Sequence, residues 1–140
     1  GNDFIGFYLQ GSLATGDFNL TSDVDFIIVT EKDLSDVGWG KELLENPEPR
    51  KNRFYQSYLV LNYCRMLHDL HKGEINSKLA GIEWAKSNLD PQWISLINFC
   101  WQERQDTSIS VDQPANAEVF ASSLKFVRYA IEKGKSYQIV

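Results

Sequence analysis

The chain has 140 residues, of which 43% are hydrophobic and 24% charged, and its formal net charge is −5. That balance excludes a disordered chain and fits one domain, or one domain with a fragment of a second. An acidic protein has little long-range attraction for a nucleic-acid backbone, and no apolar run approaches the ~20 residues that cross a bilayer, so neither nucleic acid nor membrane is expected as a partner.

In chain order, Phe4-Ile5-Gly6-Phe7-Tyr8-Leu9 predicts one buried strand and Val24 to Val29 a second. Between them stand Gly11-Ser12 and then Ser22-Asp23-Val24-Asp25. Side chains at i and i+2 share a face of a strand, so Asp23 and Asp25 are expected to point the same way, with Val24 turned inward. Two carboxylates about 6–7 Å apart repel each other unless a cation lies between them. Hard oxygen ligands of this kind suit Mg²⁺, which keeps several waters and shares a nucleotide's phosphates. Gly11 lets backbone approach a ligand closely, and Ser12 and Ser22 bring hydroxyls to the same turn. A P-loop is excluded, because Asp17 follows Gly16 where the phosphate-binding lysine must stand.

Residues 30–38 are polar and read as the boundary, dividing a sheet-forming fragment at 1–37 from a helical domain at 38–140. The charge divides in the same place. Residues 1–37 carry seven acids and one base, and the remainder carries 13 bases and 12 acids. A short helix is expected from about Trp39 to Glu45, stopped by Pro47 and Pro49. From Arg50 the pattern turns helical through Phe54, Tyr58, Leu61, Arg65 and His68, and ends at Gly73 as a C′ glycine. Asn76 or Ser77 caps the next helix, whose core face is Leu79, Ile82, Trp84, Ala85 and Leu89. Asp90-Pro91 starts another, with Asp as N-cap and Pro at N1, carrying Trp93, Ile94, Ile97, Phe99, Cys100 and Trp101. Residues 106–115 form a loop, and a last helix from about Asn116 closes at Gly134. The expected fold class is therefore α+β: a small sheet fragment followed by an α-helical bundle.

Cys64 and Cys100 fall in helical apolar patterns and are expected as reduced core thiols of a cytoplasmic protein. His68 and His71 are one turn apart without a matching ligand pair, so ordinary surface or boundary histidines are expected rather than zinc ligands. Most Trp and Phe residues are assigned to the core. Three bases stand apart: Arg65 inside an apolar helix, Lys78 in a first turn where a cation opposes the helix dipole, and Arg104 after an aromatic stretch.

The Gly11-Ser12 turn followed by the Asp23-x-Asp25 strand resembles the polymerase-β-like nucleotidyltransferase superfamily. The second part resembles the C-terminal helical domain of aminoglycoside adenylyltransferases of the streptomycin/spectinomycin 3″ type. That likeness rests on Leu61-Asn62-Tyr63-Cys64-Arg65-Met66-Leu67, Gly73-Glu74-Ile75-Asn76-Ser77-Lys78, Glu83-Trp84-Ala85, Leu89-Asp90-Pro91-Gln92-Trp93 and Leu96-Ile97.

The resemblance implies that Asp23 and Asp25 are catalytic and hold magnesium. It implies nucleotide contacts from Gly11, Ser12 and Ser22, with Arg65 and Lys78 reaching the triphosphate and Arg104 near the nucleotide. The implied reaction moves AMP from ATP to a hydroxyl of a small, aminoglycoside-like acceptor. A third carboxylate, the family's general base, is not found: Glu31 lies six residues from Asp25, about 20 Å along a strand. The chain thus reads as an internally shortened member. The second reading is a catalytically inactive truncated homologue that binds nucleotide or a protein partner, and the high apolar content also fits self-association.

Overall fold

The computed structural model describes the backbone at 4–10, 25–30 and 38–137, and side chains at 40 and 42–137. Two backbone segments, β1 (Phe4–Gln10) and β2 (Asp25–Thr30), pair antiparallel, with Gln10 opposite Asp25 and Phe4 opposite Thr30. Two strands alone are not a nucleotidyltransferase sheet; the fold shown is helical.

Five α-helices follow among the described residues: α1 (Gly38–Glu45), α2 (Arg53–Lys72), α3 (Lys78–Asn88), α4 (Ile94–Gln105) and α5 (Ala117–Lys135). No helix among them is long and apolar enough to cross a membrane.

The short α1 places Leu43 fully in the core and gives way to a tight turn at Glu48–Arg50, where Pro47 and Pro49 remove two backbone donors. Helix α2 is the axis of the domain, contacting α3, α4 and α5. It is buried without a break from Leu59 to Asp69, as a helix apolar on most of its circumference must be. Asn52 caps its start, the side chain accepting from the Tyr55 N–H at 2.9 Å. Gly73 ends it at φ 72°, a left-handed conformation that glycine adopts without Cβ strain.

Ser77, not Asn76, caps α3, accepting from the Ala80 N–H at 3.2 Å. Asp90 caps a single turn at Pro91–Trp93 that leads into α4, so the α-helix proper begins at Ile94 rather than at the proline. Asn116 caps α5 through the N–H groups of Glu118 and Val119.

Two residues expected in the core are exposed, Leu79 at 51% and Phe99 at 38%. Helix α3 meets α2 through Gly81, and a residue two positions away is turned about 200° around the axis, which puts Leu79 on the far side. Phe99 stands in the same relation to buried Ile97. Gly134 does not close the last helix; it is buried within the final turn, which runs on to Lys135.

A polar residue joins these helices. Gln56, 2% exposed, accepts from the Asn116 N–H through its side chain at 2.9 Å. Its backbone carbonyl accepts from Ser123 Oγ at 2.6 Å and from Cys100 Sγ at 3.9 Å. One residue of α2 thereby ties α4, α5 and the segment leading into α5.

Candidate functional site

Positions 58, 62, 65 and 69 are spaced four, three and four apart, so Tyr58, Asn62, Arg65 and Asp69 form one stripe along α2. Asn62, Arg65 and Asp69 are each no more than 5% exposed. Three polar side chains in a row inside a helical core are costly unless they are bonded or used. The stripe runs beneath α3, and the approach is close: a Cβ built at Gly81 would lie 2.8 Å from the Arg65 Cα.

Lys78, in the first turn of α3, places its Nζ over the Tyr58 ring, 5.6 Å from the centroid. The ring is itself stacked on Phe54 at 5.4 Å and meets Tyr55 edge-on at 5.6 Å. These contacts within α2 brace Tyr58 as a platform for the ammonium, a cation–π arrangement. Tyr58 also lines a shallow cleft together with Ser57, Arg53, Glu103 and Arg104. The cleft has about 20 Å³ of room, enough for one water, so it cannot enclose a nucleotide and can serve only as an open wall.

The acids of this wall are occupied. Glu103 takes a two-pronged bond from Arg53, Nε to Oε2 at 2.8 Å and Nη2 to Oε1 at 3.0 Å, which raises the Arg53 pKa. Asp106 accepts from Ser108 Oγ at 2.6 Å and Ser108 N at 2.9 Å, and these bonds hold its carboxyl below the usual carboxylate range.

Of the expected nucleotide-binding residues, the fold brings Lys78 over the Tyr58 ring and Arg104 to the cleft that Tyr58 lines. Arg65 lies two turns along the same face of α2, its backbone against α3 one turn beyond Lys78. Gly11, Ser12, Ser22 and Asp23 lie outside the described residues. For Asp25 the backbone alone is described, at the start of β2. Among the described residues no group of three His, Cys, Asp or Glu side chains is placed to hold a metal ion.

Sequence reasoning passed over Asp69. Its Oδ1 accepts from the Asn76 N–H at 2.8 Å and from Asn76 Nδ2 at 3.1 Å, while its buried Oδ2 has no hydrogen-bond partner among the described residues. Burial pushes this carboxyl up to about 7, against the opposing pull of the Asn76 bonds. A carboxylate inside an apolar helical run, seven residues before an asparagine and just ahead of a C′ glycine, was the available signal.

His68 is a core residue rather than a surface one. It is 6% exposed and its ring is stacked on Trp84 at 5.3 Å. Burial, reinforced by the charges of Lys72 and His71, lowers its pKa. Cys64 and Cys100 are buried and unpaired as expected; burial raises both thiols, Cys100 to about 12, which leaves them unreactive.

Comparison with known proteins gives one family. The model of the aminoglycoside adenylyltransferase C-terminal domain matches residues 38–130. Neither the curated proteins nor the solved structures give a match. The matched span begins with α1 and includes α2, α3, α4 and most of α5, including Arg65, Lys78 and Arg104. By this match, which extends over more than half of its length, the chain belongs to the aminoglycoside adenylyltransferase C-terminal domain family.

Proposed function

We propose that this chain takes part in magnesium-dependent adenylyl transfer, moving AMP from ATP to a hydroxyl of a small acceptor, and that its helical domain supplies the cationic side of the nucleotide site. The observation that carries the reading is the arrangement about Tyr58, with Lys78 over the ring, Arg104 on the adjoining cleft and Arg65 further along the same face of α2. The family match supports it, since the three bases lie within the matched span.

In this reading Lys78 and Arg65 take the triphosphate, and Arg104 lies beside the nucleotide. Gly11, Ser12 and Ser22 form the opposing turn. Asp23 and Asp25 would hold Mg²⁺, which when bound would neutralise phosphate charge, while the residues around the nucleotide would position it for attack by the acceptor hydroxyl. The division of charge then has a chemical reason, with an acidic segment holding the cations and a basic helical face holding the anion.

The acceptor is a small hydroxylated molecule of the aminoglycoside class. The segment Arg50-Lys51-Asn52-Arg53 does not grip such a cation. Arg53 is committed to Glu103, and Asn52 caps α2.

Calorimetric titration with MgATP tests the binding half. The expectation is saturable binding that weakens about tenfold in Lys78→Ala, the loss of one charge-assisted hydrogen bond. Incubation with labelled ATP, Mg²⁺ and a panel of aminoglycosides tests the chemistry. Absence of MgATP binding, or binding indifferent to Lys78, overturns the nucleotide reading; binding with no labelled product for any acceptor overturns the transferase.

A further inference from the structure

We infer that Asp69 is the positioning residue for Lys78: it anchors the α2–α3 connection so that the ammonium is held over Tyr58, on the nucleotide side of the domain. The inference rests on the nucleotide reading above, which gives Lys78 its role.

The anchoring runs through backbone and side chain together. The Asp69 carbonyl accepts from the Gly73 N–H at 2.8 Å, which closes α2. The Asp69 carboxylate then accepts both the backbone and the side-chain N–H of Asn76. Asn76 Nδ2 also donates to the Glu74 carbonyl at 3.2 Å, bracing the connection from within. The residue after Asn76 is the N-cap Ser77, and the next is Lys78. Lys78 therefore follows only two residues after Asn76, the point at which the connection is doubly bonded to a buried anchor.

An N-cap fixes where a helix begins, and with it the direction in which the first-turn side chains leave. Here Ser77 caps α3 only from the position that Asn76 allows. Asp69 is a costly choice for a purely structural anchor. It is buried, and a neutral acceptor would meet both Asn76 donors without placing a carboxyl in the core. The Asp69 Oδ1 meets both donors whether the carboxyl is ionised or neutral, which suits a connection that must keep a lysine in one place. The charge that acts on the Asp69 carboxyl is that of Glu74 in the connection, a like charge that opposes its ionisation.

The test is a thermodynamic cycle read by MgATP titration on the full chain, with folding of every variant checked by circular dichroism. Asp69→Ala is expected to weaken MgATP about fivefold or more in the parent and to change little in the Lys78→Ala background, because the effect passes through the lysine. Asp69→Asn, which keeps an acceptor for the Asn76 N–H, is expected to recover most of the affinity. Equal weakening in both backgrounds, or none in either, overturns the positioning role. If Asp69→Ala does not fold, Asn76→Ala replaces it, since it removes one of the two bonds and leaves the core intact; its coupling to Lys78→Ala then decides by the same criterion. Should Lys78→Ala bind MgATP as the parent does, the nucleotide reading has failed and this inference falls with it. A lysine-dependent affinity that Asp69 does not affect defeats this inference alone.

Discussion

Gly81→Ala sets two opposed effects against each other. Alanine is the better helix former, by about 1 kcal/mol relative to glycine in a helix interior, so local propensity alone predicts a more stable protein. Packing predicts the opposite. The added Cβ would stand 2.8 Å from the Arg65 Cα and 3.2 Å from both the Arg65 N and Cβ, where ordinary contact begins at 3.4 Å. These are backbone atoms and the root of a side chain, so no rotamer change relieves them. Helix α3 must shift outward to relieve the contact, and overpacking of that kind costs about 1–3 kcal/mol. The net expectation is a loss of about 0–2 kcal/mol, seen as a midpoint in urea that does not rise, with an unchanged slope. Gly73→Ala is the control. That site has φ +72° and nothing within 4 Å of the added atom, so its cost is backbone strain alone, about 1 kcal/mol. A Gly81→Ala protein more stable than the parent by about 1 kcal/mol, the full propensity gain, refutes the close-packing argument, and with it the placing of Arg65 and Lys78 by that contact.

Other outcomes follow from the same contacts. Gln56→Ala removes the acceptor of the Asn116 N–H and opens a void at the junction of α2, α4 and α5; a loss of about 2–4 kcal/mol is expected in chemical denaturation. The Asp69 carboxyl keeps its proton up to about 7 in the folded chain but releases it near 3.8 when unfolded. Between those values the folded state binds more protons, so Asp69 makes stability fall as pH rises through the window. Asp69→Asn removes that slope, and an unchanged slope contradicts the burial of the charge. His68 acts with the opposite sign: its lowered pKa contributes stability above 6.5 that is lost as pH falls. Cys64 and Cys100 are expected to resist a thiol reagent at mildly alkaline pH in the folded protein and to react when it is unfolded; rapid labelling of the native chain contradicts their burial.

The helical domain was legible because its boundaries are written in local chemistry. Pro47, Gly73, Ser77, Asp90-Pro91 and Asn116 each act on the backbone within a few residues, and each marks a boundary or cap in the fold. Leu79 and Phe99 misled because helical spacing says that residues share a face but not which face meets a neighbour. Gly81 decides that for α3, through a close approach that no periodicity encodes. The roles of Gln56 and Asp69 were harder to read for a related reason, although the placing of Asp69 in an apolar run marked it as unusual. Their partners lie 60 and seven residues away and are reached by tertiary or loop geometry. Lys78 was noticed as a cation at the wrong end of a helix dipole, and the fold supplies a compensation in the Tyr58 ring.

The central claim is that the α2–α3 face carrying Arg65 and Lys78 receives the phosphates of ATP. Amide and side-chain NMR of the chain titrated with Mg²⁺ and a non-hydrolysable ATP analogue tests it most directly. The account predicts saturable shifts concentrated at residues 73–81, at Tyr58 and at the Lys78 ammonium, with smaller shifts at Arg104. A saturating titration that leaves Lys78 and the α2–α3 connection unmoved contradicts it.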